Sequence, residues 1–251
     1  MNKPPAPAEN GLRPRPTTSP VTPVIFRRSA LYLALLLPFI VVGFWPTYFS
    51  RVPLETSIRV HVHGVAMSLW YVLLVSQAYL IRKNRRPLHR KLGRLSYALV
   101  PVIALSTLAM AHHRLQVSGL TPETLFFFYV QLSLLVFFLL SYGLAIANKA
   151  RPLVHARYMI CTALALIDPI FGRILYNSLG INFPLLEVLT YSLVGVIFLW
   201  LAVWDARHKP TSRVFAGMLV AFLAINAPVF FVYGSTEWHS IAAWFRGLLV
   251  L

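Results

Sequence analysis

The sequence predicts an all-α, polytopic membrane protein with seven transmembrane helices, and three observations carry that prediction. Composition comes first: of 251 residues 58% are hydrophobic and 12% charged, with a mean hydropathy of +0.68. That leaves too little polar surface to cover a soluble globule. Second, apolar runs of about 20 residues recur along the chain, each long enough to cross a ~30 Å hydrocarbon layer. Third, Lys and Arg fall between those runs, with most of them in alternate gaps.

The net charge of +16 argues orientation rather than nucleic-acid binding, which needs basic residues gathered on one face. No nucleic-acid partner is expected; the bilayer is. The single cysteine, Cys161, sits inside an apolar run, so no disulfide forms within one chain.

In chain order, residues 1–29 hold seven of the eighteen prolines and show no apolar periodicity, the signature of a disordered tail. The tail is too long for a signal-peptide n-region, so the run behind it is expected to remain as an uncleaved anchor. Seven spans follow: 30–49, 62–81, 95–112, 125–147, 153–176, 184–204 and 214–233. Placing the N-terminus inside puts 18 of the 23 Lys and Arg on that side, leaving Arg51, Arg59, Arg114, Arg173 and Arg246 outside. The bias predicts N-in, C-out in the cell (inner) membrane, with a cytoplasmic tail. Residues 234–251 place apolar side chains at 238, 241, 242, 245, 248 and 249, one face of a helix too short to span. They are expected to lie at the outer interface, with Trp238 and Trp244 at headgroup level; a frayed end with aromatic anchors is the alternative.

Two inner hairpins share a pattern. Arg86-Pro87-Leu88-His89-Arg90 precedes the third span and Arg151-Pro152-Leu153-Val154-His155-Ala156-Arg157 the fifth. Proline suits the first turn of the helix that follows. A duplicated helix pair would make spans two to five a four-helix bundle core, with the first, sixth and seventh outside. The motifs His61-Val62-His63-Gly64, Leu88-His89-Arg90-Lys91-Leu92-Gly93 and His155-Ala156-Arg157-Tyr158-Met159 extend the pattern. With them the chain resembles a poorly characterised group of bacterial multi-pass membrane proteins. That group is loosely similar to small four-helix membrane proteins implicated in cytochrome-oxidase assembly. The resemblance covers roughly residues 59–173 and implies membrane topology and a four-helix core.

Topology sorts the histidines by side. His61, His63, His112 and His113 fall at the outer ends of spans two and three, neighbours in an antiparallel hairpin; His89 and His155 fall at inner ends. His63 with either His112 or His113 is the natural bis-imidazole pair, because adjacent helical residues differ by ~100° and only one of the two faces inward. His61 joins it only if its segment is extended. The cluster suits copper or zinc, or a b-type haem with Arg59 or Arg114 at its propionates and a second haem between His89 and His155. Solvated interfacial anchoring is the plainer reading. Asp168, about 15 residues into the fifth span, costs roughly 2.5–3.5 kcal/mol to insert and needs a partner, for which Arg173 and Glu187 are expected. Glu187 is expected near the interface. Asn226, two residues before Pro228, is expected to extend an outward-opening polar pocket, since proline frees a backbone carbonyl.

Several chemistries are excluded. The seventh span holds no lysine for a retinal Schiff base. Glycine-rich phosphate loops, HExxH and nucleophile elbows are absent. The histidine spacing does not suit a membrane di-iron site. The function expected is an outward-facing histidine and carboxylate site serving haem-linked electron transfer. A metal-binding assembly factor or small-ligand transporter, acting with respiratory or other membrane complexes, stands beside it, and an intramembrane enzyme or sensor built on the Asp168 region completes the set.

Overall fold

The computed structural model describes residues 29–52, 57–208 and 213–248, and among them the regular structure is entirely helical. The expected tail at 1–28 and the last residues, 249–251, lie outside the described residues; Ser29 already opens the first helix.

The first apolar run is broken. It forms α1 (Ser29–Ala34) and α2 (Leu37–Phe44), because Pro38 in the first turn of α2 has no N–H to give the Ala34 carbonyl. Sixteen residues of helix reach only about 24 Å. Among the described residues six helices, not the seven expected, are long and apolar enough to cross a membrane. Its first half, α1, packs on α3 (Ile58–Arg82) and its second half, α2, on the fifth span, while its two ends reach α3 at Arg82 and Gly64. Leu31 shares a groove with Arg82, the Leu33 carbonyl accepts from Tyr71 Oη at 2.7 Å, and Tyr48 covers Gly64.

The basic turn expected between spans two and three is itself helical. Asn84, at φ +56°, reverses the chain, a conformation asparagine tolerates better than most residues. Then α4 (Arg86–Gly93) starts with Pro87 in its first turn and bends into α5 (Ser96–Ser118). Thr121 caps α6 (Pro122–Ala147), its Oγ1 accepting the Thr124 N–H at 3.2 Å. The fifth span is two helices, α7 (Pro152–Leu164) and α8 (Ile167–Leu179), followed by the unbroken α9 (Leu185–His208). Pro228 divides the last span into α10 (Val214–Asn226) and α11 (Val229–Val232), and α12 (Thr236–Gly247) ends the described chain.

Every residue from Cys161 to Asp168 is buried, the mark of a helix surrounded on all sides. The packing bears this out: α7 and α8 between them meet α2, α3, α6, α9 and α10. Contacts α3 to α5, α5 to α6 and α6 to α7 form three sides of the expected bundle, and a thinner contact of α3 with α7 closes it. The sixth and seventh spans are not peripheral, as expected, but complete a second group around α6 and α7. The fifth span is therefore the axis of the molecule. Trp70, Phe137, Phe138, Phe198 and Phe222 fill the core around it.

At the other end α12 turns Trp238 inward, onto the start of α6. Trp238 is buried, stacks on Phe128 with ring centroids 5.1 Å apart, and donates Nε1–H to the Leu125 carbonyl at 2.9 Å. Only Trp244 is exposed, at 65%. A buried indole with a satisfied N–H anchors α12 to the bundle.

Candidate functional site

The break in the axial span creates the most polar place in the core. Leu166 N–H turns back to the Ala163 carbonyl at 3.1 Å, a tightened turn, and α8 restarts at Ile167. Pro169 then has no N–H for the Ala165 carbonyl. Asp168 falls in the first turn of α8, where the partial positive charge of the helix end favours a carboxylate. It is 4% exposed, and its Oδ1 accepts a short hydrogen bond from the Thr190 hydroxyl.

Thr190 belongs to a polar face of α9, because residues three and four apart lie one above another on a helix. Glu187, Thr190 and Tyr191 make up that face. Glu187, in the first turn of α9, is 1% exposed, and its Oε2 has no hydrogen-bond partner. The Tyr191 hydroxyl is likewise buried without a partner, its ring set edge-on to Phe222 and Phe230. Close to Tyr191, Ser133 on α6 donates to Asn226 Oδ1 at 2.9 Å, and Asn226 returns its own N–H to the Phe222 carbonyl at 2.8 Å. Asn226 thus joins the last span to this polar centre.

Arg173 does not form the expected direct ion pair with Asp168. Its Nη1 donates to the Pro169 carbonyl at 3.0 Å and its guanidinium lies 4.3 Å over the Phe44 ring. It interacts with Asp168 at longer range. The formal charges that act on one another here are the Asp168 and Glu187 carboxylates and the Arg173 guanidinium, with exposed Arg114 acting on Arg173 from the edge.

The outer histidines are not brought together. His61 is already helical, so it and His63 point to different neighbours: His61 sets its ring 5.8 Å from Tyr48, and His63 Nδ1 lies 3.2 Å from Ser106 Oγ and 3.4 Å from Thr107 Oγ1. His112 turns away from α3, its Nε2 donating to the Leu248 carbonyl at 2.8 Å beside Phe245. His113 is exposed, and so is Arg114, stacked 4.8 Å over Phe127; Arg59 is half-buried in the first turn of α3. Among the described residues no three His, Cys, Asp or Glu side chains converge as a metal site. At the inner end, His155 Nδ1 donates to the Ala145 carbonyl at 2.8 Å, while His89 Nδ1 and both side-chain polar atoms of Gln77 are buried without partners.

The residues that sequence reasoning missed are Thr190, Tyr191, Ser133 and one ion pair. Arg157, counted among the inner loop charges, is 2% exposed and grips Asp205 with two bonds of 2.7 Å, from Nε and Nη2, with Nη1 on the Leu153 carbonyl. The available signal was Asp205 itself, one of only seven acidic residues, set one residue past an apolar run. No family model, curated protein or solved structure matches the chain. Its function is therefore argued from its own residues.

Proposed function

We propose that this multi-pass membrane protein is a small-ligand transporter or relay whose ligand is a proton or small monovalent cation, exchanged at the Asp168–Glu187 centre from the outer side of the membrane. One observation carries the reading: Glu187 Oε2 is fully buried and unpartnered beside a second carboxylate that Thr190 already satisfies. With Arg114 exposed at the edge, the two carboxylates and Arg173 leave one negative charge over inside the bundle. An uncompensated charge in a membrane interior is costly, so the centre needs one more proton or cation. Transporters hold coupling ions on carbonyls freed at breaks in spanning helices, and Asp168 adds a carboxylate beside such a break.

The test is flux in liposomes holding the purified protein, driven by a pH or sodium gradient. Glu187→Gln is expected to abolish flux while the protein stays folded. Flux equal to that of empty liposomes in the parent protein, or unchanged flux in Glu187→Gln, defeats the reading.

A second reading keeps the redox or metal role, moved to the inner end. His155 holds its Nδ1–H on a backbone carbonyl, the second-shell bond that orients ligand imidazoles, and His89 Nδ1 is a buried lone pair or N–H with no partner. Copper, zinc or haem b would be held by these two residues. An optical spectrum and metal analysis of purified protein decide it, since a Soret band or stoichiometric metal lost in His89→Ala is required.

A further inference from the structure

The packing of the first span leaves an elongated apolar groove between α1, α3 and α4, with a volume of about 690 Å³. Leu31 and Ala34 line it from α1, Val75 and Arg82 from α3, and Leu88 and Leu92 from α4. From Val75 to Arg82 the groove follows about 10 Å of helix, the length of part of an acyl chain.

Its Arg82 end is strongly cationic. Arg82, Lys83, Arg85, Arg86, Arg90, Lys91 and Arg94 fall within thirteen residues that contain no Asp or Glu, and all seven are exposed. Lys83 lies 5.8 Å over the Tyr79 ring, and among the described residues no carboxylate pairs with the others. Helix α4 belongs to both features. Leu88 and Leu92, four residues apart, face the groove, while Arg86, Arg90 and Lys91 stand on the exposed remainder. A short basic amphipathic helix over an apolar slot is the arrangement that recognises anionic lipid headgroups.

We propose that this groove is a binding site for an anionic phospholipid, with one acyl chain laid along α3 and the phosphate held by Arg82 and the basic residues of α4. Charge complementarity selects this occupant. A neutral lipid would gain the apolar contacts but leave the cations uncompensated, and each basic residue near an anionic headgroup changes affinity by roughly fivefold.

The test is native mass spectrometry of the full-length protein released from micelles containing equal phosphatidylglycerol and phosphatidylcholine of one acyl composition. Retention of phosphatidylglycerol at least tenfold over phosphatidylcholine is expected. The pair Arg82→Gln with Arg86→Gln is expected to remove that preference, since roughly fivefold per residue is enough to cancel a tenfold selectivity. Ala34→Phe, which fills the groove and leaves every charge in place, is expected to abolish retention, and Val75→Phe checks the same point from α3. Equal retention of the two lipids, retention of a neutral isoprenoid, or no retained lipid in the parent overturns the proposal. So does a preference that vanishes with the charges yet survives both groove-filling variants, since that outcome describes a basic surface and not a site.

Discussion

At the residue scale the buried carboxylates differ in how they are satisfied. Both stand in the first turn of a helix, but Asp168 has a hydroxyl partner and Glu187 Oε2 has none. Asp168→Ala is therefore expected to cost about 1–3 kcal/mol, because the Thr190 hydroxyl loses its acceptor in a buried setting. Glu187→Gln keeps shape and removes only an unpartnered acid, so stability is expected to hold within about 1 kcal/mol of the parent. Denaturant unfolding of both variants in detergent checks the contrast, and an equal loss contradicts it. Gly64 is a second case. A Cβ there would stand 2.8 Å from Tyr48 Cζ, so Gly64→Ala must displace the ring that covers it, at a cost of about 1–3 kcal/mol. The glycine of the His-x-His-Gly motif is thus explained by packing, and a fully tolerated Gly64→Ala, by the same unfolding measurement, counts against that account.

At the scale of elements, the Arg157–Asp205 pair fastens α7 to the far end of α9. Breaking a buried pair on one side typically costs about 3–5 kcal/mol, while replacing both partners with apolar residues of similar size costs far less. Asp205→Leu alone is expected to fall in that range, and adding Arg157→Met to recover most of it. A double-mutant cycle by thermal unfolding measures the coupling, and simple additivity of the two losses removes the clamp from the account. Helix α12 depends on a similar anchor. Trp238→Phe retains the stacking on Phe128 but loses the Nε1–H bond to the Leu125 carbonyl, at an expected cost of about 0.5–1.5 kcal/mol. Faster hydrogen exchange confined to α12 is the accompanying observation; unchanged exchange there excludes the anchor.

At the scale of the whole molecule, the broken first run is what decides topology. It follows α3 from the Arg82 end to the Gly64 end, a depth of about 27 Å for eighteen residues of helix. With basic residues gathered at 82–94 and in the tail, reporter fusions at residues 10, 88 and 150 are expected to read cytoplasmic and those at 118 and 251 external. An external residue 10 with the other four unchanged means that the broken run does not cross. What the sequence by itself determined is the membrane class, the helical content and the placement of most spans. Apolar run length and loop charge are local quantities, and the bilayer reads them directly. The two hairpin prolines were equally legible, both sitting in the first turn of their helices. Only the tertiary structure decided that the fifth span is the axis, that His63 and His112 serve different neighbours, and that Glu187 and Asp205 are buried. Each of these depends on which face of one helix meets which face of another. Helices that are apolar nearly all round carry little amphipathic signal to specify that choice, so it is settled by shape and by the few polar groups that must find one another.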